Sequence, residues 1–261
     1  MIVFTDLDGT LLDHETYSAQ AARPALDHLK ARGIPVIPAT SKTAAELDPL
    51  MKELGLTGPA IVENGAGLVM PGQSGESYDT YAAIRTALDA LPSRLRTPFS
   101  GFGDLTDAGV AAMTGLDLDA ARRARTRQFS EPGIFAGPPD AQAEFLDTLG
   151  ASGIHGVAGG RFLTLSFGAT KADRMAEVIA QVGATTPVVA LGDAPNDIAL
   201  LQAADIGIVV ANPAHPPLPA MEGERDGRIR RTILPGPAGW NAAILHIVGE
   251  AGSTAEEDNE A

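Results

Sequence analysis

Two aspartates one residue apart, Asp6 and Asp8, end an apolar run, Ile2-Val3-Phe4-Thr5, and are followed by Gly9 and Thr10. The run reads as a buried strand that delivers its last side chains to a loop. A second acidic string, Gly192-Asp193-Ala194-Pro195-Asn196-Asp197, directly follows another apolar run, Val188–Leu191. In open α/β sheets, ligands sit outside the carboxyl ends of the strands. Carboxylates gathered at such a tip repel one another unless a positive charge lies between them, and a divalent cation is the natural remedy. A turn through Asp8-Gly9 accounts for the glycine but not for two acids. A helix N-cap accounts for Asp197 or Asn196 but not for Asp193 as well.

These residues need a scaffold that brings distant strand tips together. A helical stretch, about Ala19 to Arg32, is stopped by Gly33; Ile34–Thr40 is a second apolar strand made imperfect by Pro35 and Pro38; Thr43 to Leu54 is helical and closed by Gly55; Ala60–Glu63 is a third short strand. Strand, helix, strand, helix, strand argues a parallel sheet with crossovers. Turn chemistry over Pro71–Ser77 marks a boundary. From there to about 166, helical patterns at Asp117–Arg125 and Asp140–Leu149 and strand-like runs at Gln128–Phe135, Ile154–Val157 and Phe162–Phe167 read as an inserted α/β unit. The alternation resumes with Lys171–Val182, Val188–Leu191, Asp197–Ala203 and Ile206–Val210, and a helix over Gly239–Val248 closes it. The expected division is a core of 1–76 and 168–250, an insert of 77–167, and an acidic tail, 251–261, read as disordered from its composition.

The chain has 261 residues, 44% hydrophobic and only 5% aromatic, so aliphatic side chains must fill the core. With no cysteine there is no disulfide framework and no thiolate chemistry. Nineteen basic against 33 acidic residues give a net charge of −14, which repels nucleic acid and anionic lipid. A site for a phosphorylated metabolite must therefore be locally positive. No apolar run approaches the ~20 residues of a membrane span, and no charged, then apolar, leader opens the chain, so a cytoplasmic location is expected. The five histidines show no ligand spacing, and Trp240 reads as a packing anchor.

Asp6-Leu7-Asp8-Gly9-Thr10-Leu11 resembles the first motif of the haloacid dehalogenase superfamily, and Gly192-Asp193-x-x-Asn196-Asp197 resembles its fourth. The resemblance implies a Rossmann-like parallel-sheet α/β core with an inserted α/β cap, and phosphoryl transfer with Asp6 as nucleophile and Asp8 as general acid and base. It also implies Mg2+, held by the Asp6 and Asp193 side chains and the Asp8 carbonyl, with Asp197 orienting a metal-bound water. An oxygen-only donor set without sulfur or imidazole suits Mg2+ and not Zn2+. Thr40, at the second strand's end, and Lys171, opening a helix, stand where the superfamily places its phosphate-binding hydroxyl and lysine.

The insert resembles that of the capped sugar-phosphatase branch. Thr40-Ser41-Lys42-Thr43 with Glu46, Ile61-Val62-Glu63-Asn64-Gly65, Arg127-Gln128-Phe129-Ser130-Glu131-Pro132, Gly159-Gly160-Arg161-Phe162 and Gly236-Pro237-Ala238-Gly239-Trp240-Asn241 are similar to strings of the mannosyl-3-phosphoglycerate phosphatase family. Membership would imply hydrolysis of a phosphorylated glycosyl glycerate, giving a compatible solute, by a monomer or homodimer. Substrate-binding candidates are then Ser41, Lys42, Glu63, Asn64, Gly65, Arg127, Ser130, Glu131, Arg161 and Asn196. Ala172, Phe129 and Thr40 depart from the common pattern of Gly, Tyr and Ser without removing a functional group from the phosphate site. Other readings of the same residues are a generic sugar phosphatase, a phosphomannomutase-like phosphotransferase, or a non-catalytic metal-binding module.

Overall fold

The structure is a computed structural model that describes residues 1–70, 78–159, 161–183 and 186–257. The boundary read at Pro71–Ser77 lies outside the described residues. Along the chain run β1 (Ile2–Thr5), α1 (Arg23–Ala31), β2 (Val36–Pro38), α2 (Ala44–Leu54), β3 (Ala60–Val62), β4 (Gly67–Val69), α3 (Asp79–Asp89), α4 (Ser93–Arg96), β5 (Phe99–Gly101), α5 (Asp107–Thr114) and α6 (Leu118–Arg125). There follow β6 (Glu131–Phe135), α7 (Pro139–Gly150), β7 (His155–Gly159), β8 (Phe162–Ser166), α8 (Lys171–Val182), β9 (Val188–Gly192), α9 (Ile198–Ala203), β10 (Ile206–Ala211), β11 (Ile229–Pro235) and α10 (Gly236–Glu257).

Two compact units emerge. The first comprises Met1–Thr40, Gly58–Ala60 and Lys171–Ala261; the second comprises Ser41–Thr57 and Ile61–Thr170. The chain thus divides at Thr40 and Lys171, and α2, expected with the core, goes with the second unit. The reason is local. Thr43 and Glu46 form a reciprocal capping box at the start of α2, at 3.1 and 2.9 Å. The Thr43 hydroxyl also donates to the Arg123 carbonyl at the end of α6 (3.0 Å).

The first unit is built on a five-stranded parallel sheet, ordered β11-β10-β9-β1-β2. Ile2, Val3, Phe4 and Thr5 are all buried, as befits a central strand covered on both faces. Phe4 lies opposite Ala190 on one side and Ile37 on the other. Thr5 pairs with Leu191, so the chain beyond both strands leaves the sheet at the same end. Trp240 of α10 is fully buried and donates its indole N–H to the Thr5 hydroxyl at 2.9 Å, which fixes it as a packing anchor. Asn241 caps the other side, accepting from the Ala25 amide at 2.9 Å.

The second unit carries a four-stranded antiparallel sheet, β5-β6-β8-β7. Ile84, Leu88, Phe99, Phe145, Leu149 and Leu165 are among the residues of its core, with Phe99 and Phe145 stacked at 5.3 Å. The strand β3, expected in the parallel sheet, pairs with β4 in a separate two-stranded sheet. In the stretch where the sequence pattern gives two helices, the structure has α3, α4 and α5 as well as α6 and α7. The last helix continues to Glu257, into the segment read as a disordered tail. Ala and Glu in that stretch are strong helix formers.

Candidate active site

Asp6 follows β1 directly, and its amide donates to the Leu191 carbonyl of β9 at 2.9 Å. That bond joins the two acidic strings at their start. Asp193 follows β9, and Asp197 ends a single 3-10 turn, Pro195–Asp197. One carboxylate oxygen from each of Asp6, Asp193 and Asp197 lies within 4.8 Å of the others, and all three residues are buried. Lys171, at the first position of α8, is buried with them. Its ammonium donates to Asp6 Oδ1 and to Asp197 Oδ1, both at 2.7 Å.

Each acid is held in place. Asp197 Oδ2 accepts the backbone amides of Asp193 and Ala194 at 3.1 and 3.0 Å. Asp193 accepts the Thr10 hydroxyl on Oδ1 and the Asn212 amide on Oδ2, each at 2.7 Å. Two glycines make room. A Cβ on Gly9 (φ +80°) would lie 2.3 Å from Asn212 Nδ2, and one on Gly192 would lie 2.5 Å from the Asp197 Cβ.

Three carboxylates share one ammonium, so negative charge is in surplus in a buried place. The electrostatics follow. Burial raises the Asp6 carboxyl well above its ordinary value; Lys171 opposes this, while Asp197 and Asp193 add to it. Burial likewise raises Asp193 against the bonds from Thr10 and Asn212. Burial alone would lower the Lys171 ammonium, but Asp197 and Asp6 outweigh it and hold its pKa above that of an ordinary lysine. A buried, all-oxygen cluster with surplus negative charge fits a hard divalent cation.

The other expected residues fall as follows. Asp8 is half-buried and bridges to Leu12. Thr40 is fully buried, two residues past β2, and so leaves the sheet at the same end as Asp6. Asn196 is exposed on the 3-10 turn between Asp193 and Asp197.

Ser41, Lys42, Glu63, Asn64, Gly65, Arg127, Ser130, Glu131 and Arg161 all belong to the second unit. Ser41 is exposed; Lys42 is half-buried, and its carbonyl accepts the Glu63 amide at 2.9 Å. Glu63, Asn64 and Gly65 all have positive φ (52°, 60° and 94°). For Glu63 and Asn64 this is a strained turn. Glu63 does not offer a bare carboxylate. It accepts the amides of Gln128 (2.9 Å) and Phe129 (3.2 Å) and the Ser130 hydroxyl (2.7 Å), with Arg127 Nε 3.2 Å away. It therefore shapes the 127–130 loop. Glu131 is fully buried, accepting from Gly103 at 2.8 Å and Arg85 at 3.2 Å. Arg161 is exposed, stacks over Phe162 and donates to the Thr114 carbonyl at 2.9 Å. Its neighbour Gly160 lies outside the described residues.

Sequence reasoning gave no role to Thr10 or Asn212, the two partners of Asp193. Thr10 is visible within the first motif. Asn212 carries a weaker signal, a single amide just past the apolar run Ile206–Ala211.

Residues 3–83 and 164–219 match the model of the haloacid dehalogenase-like hydrolase family. A protein of Methanococcoides burtonii named glucosyl-3-phosphoglycerate/mannosyl-3-phosphoglycerate phosphatase is 36% identical over 273 residues, covering 95% of this chain and 97% of its own. A protein of Persephonella marina with the same name is 34% identical over 96% of this chain and 98% of its own. Among solved structures, a phosphatase of the same superfamily from Bacteroides thetaiotaomicron superposes with a TM-score of 0.67 at 20% identity, covering 94% of each chain. A sucrose-phosphatase from Synechocystis superposes with a TM-score of 0.60 at 15% identity, covering 94% of this chain and 97% of the other. At those identities the structural likeness speaks for the fold.

Proposed function

The chain belongs to the haloacid dehalogenase-like hydrolases, and on that premise we propose that it is a phosphatase of mannosyl-3-phosphoglycerate and its glucosyl counterpart. The observation that carries the chemistry is the Lys171 ammonium held 2.7 Å from both Asp6 and Asp197, with Asp193 fixed beside them. The near full-length relationship to two phosphatases of that name supports the substrate.

In this mechanism an Asp6 oxygen attacks phosphorus in line. The bond from phosphorus to the glycerate oxygen breaks, and an aspartyl-phosphate forms. Asp8 gives its proton to the leaving oxygen, then takes one from the water that attacks the aspartyl-phosphate. Inorganic phosphate leaves and Asp6 is regenerated. Lys171 neutralises Asp6 before the attack and faces the phosphoryl oxygens during it. The Thr40 hydroxyl donates to a phosphoryl oxygen. Phosphoryl transfer depends mainly on such positioning and charge.

We assign the cation role to Mg2+, which supplies charge neutralisation at the phosphoryl oxygens when bound. Asp6, Asp193 and the Asp8 carbonyl would hold it, and Asp197 would orient a coordinated water. In the second unit, Ser41, Lys42, Asn64, Gly65, Arg127, Ser130, Glu131 and Arg161 are proposed to contribute to substrate recognition with Asn196. Glu63 acts there by shaping the loop that carries Arg127 and Ser130. The product would be a glycosylglycerate, a compatible solute made in the cytoplasm. None of the helices among the described residues is long and apolar enough to cross a membrane.

Phosphate release in Mg2+, measured over a panel of sugar phosphates with both glycosyl-3-phosphoglycerates, tests the assignment. Preference for the glycosyl-3-phosphoglycerates is expected. Release from simple hexose phosphates alone, or isomerisation of a hexose phosphate without release, would contradict it.

A further inference from the structure

The second unit contains a cavity of about 300 Å3 whose wall includes Tyr78, Tyr81, Arg85, Arg125 and Arg127. Three guanidiniums, each paired with at least one carboxylate, line one hollow. The backbone explains the pairing of two of them. Helix α6 ends at Arg125, and a tight turn returns the Arg127 amide to the Arg125 carbonyl at 2.9 Å. Arg85 arrives from α3.

Each guanidinium is fixed from behind and keeps donors in hand. Arg85 donates to Glu131 at 3.2 Å and to Asp104 at 2.5 Å. Arg125 donates through Nε to the Leu105 carbonyl and through Nη1 to Asp107, both at 2.9 Å. Arg127, 7% exposed, donates through Nη2 to Ser130 at 2.6 Å, and its buried Nε makes no hydrogen bond among the described residues. A guanidinium has five N–H groups. Among the described residues, Arg125 Nη2 and Arg127 Nη1 therefore remain as donors, held by the bonds their neighbouring nitrogens make.

We propose that this cavity binds the carboxylate of a small hydroxy acid and, on the substrate reading given above, takes the glycerate carboxylate. Planar guanidiniums match a carboxylate fork. Phosphate is the weaker guest. Glu131, Asp104, Asp107 and Glu63 surround the arginines with negative charge, which favours a singly charged guest over a doubly charged one. The tyrosines suit the hydroxyls. Burial and the neighbouring Glu131 raise the Tyr81 phenol. Arg85, Tyr78 and Tyr81 were not among the residues singled out from the sequence, whereas Arg125 stood in a basic island read as a solvated helix face.

The test is a ligand-observed NMR titration of the full chain with D-glycerate, glycerol and inorganic phosphate. Saturable glycerate binding is expected, with none for glycerol. Arg125→Gln, at a half-exposed position, should weaken glycerate about tenfold, and Tyr78→Phe should weaken it less. Phosphate affinity should not respond to Arg125→Gln. In turnover, Arg125→Gln should lower kcat/KM for the glycosyl-3-phosphoglycerate, relative to that for an aryl phosphate, about tenfold and through KM. No glycerate binding, or glycerate binding unmoved by both variants, would overturn the site. Glycerate binding that responds to Arg125→Gln in a protein that hydrolyses no glycosyl-3-phosphoglycerate would leave the site standing and remove the substrate assignment.

Discussion

The Asp6 cluster of the first unit and the Glu63 and Asp104 sites of the second hold carboxylates in opposite ways. In the first, Asp6, Asp193 and Asp197 share a single ammonium, and burial raises the carboxyls of Asp6 and Asp193. In the second, Glu63 is met by two backbone amides, a hydroxyl and a guanidinium, and Asp104 accepts from both Arg85 and Arg96. Burial tends to raise Asp104, but those two arginines override it and hold its carboxyl below the usual range. A matched cluster is a structural device. An under-compensated one is poised for a cation and a reaction.

Substitutions at the two clusters should therefore differ in kind. The largest effect is expected for Asp6→Asn, which removes the proposed nucleophile: phosphate release should fall by about 10⁴-fold or more, while circular dichroism reports a folded chain. Lys171→Met comes next. It leaves Asp6 and Asp197 buried without their cation, so urea denaturation should show a loss of about 3–5 kcal/mol along with the loss of turnover. Glu63→Gln should cost about 1–3 kcal/mol, read by the same denaturation, because one charged acceptor of the 127–130 loop becomes an amide. Its effect on turnover should appear mainly in KM.

Mg2+ sharpens the contrast further. Added to protein stripped with EDTA, it should raise the melting temperature of the native chain and do so less for Asp193→Asn. The pH dependence in EDTA has a definite sign. The folded carboxyl of Asp6 titrates above its unfolded value, near 3.8, so between the two the folded state holds the extra proton. Stability from this group is therefore lost as pH rises from about 4 through the raised value. Asp193 has the same sign, and so does Glu131, which burial raises. Denaturation midpoints from pH 4 to 7 should fall with that slope, and Asp6→Asn should flatten it. A native slope equal to that of the variant would refute the under-compensated cluster.

The parts that were legible in the sequence share a physical cause. Buried central strands are continuous apolar runs, so Ile2–Thr5 and Val188–Gly192 declared themselves, and the acids just past them could only stand at a sheet edge. Helix α8 was legible to its ends because its apolar face recurs at helical spacing. The strand β11 was not, since Arg230 and Arg231 interrupt it and Ile233 is 96% exposed at the sheet's edge. Helix α3 buries only Ile84 and Leu88, too thin a stripe to stand out. The site divides in the same way. Asp6, Asp193, Asp197 and Lys171 are groups whose type suggests chemistry. Asn212 and Arg85 act through position alone, and position is set by chain segments far away in sequence. Glu63 stood out at a strand tip, but its partners, Gln128 to Ser130, lie about 65 residues on.

The most direct test is to quench the enzyme in acid during turnover of mannosyl-3-phosphoglycerate and map the chain by mass spectrometry. A phosphoryl group on the peptide that carries Asp6, absent in Asp6→Asn, is the predicted result. Sustained phosphate release with no label at Asp6, or from Asp6→Asn itself, would contradict the account.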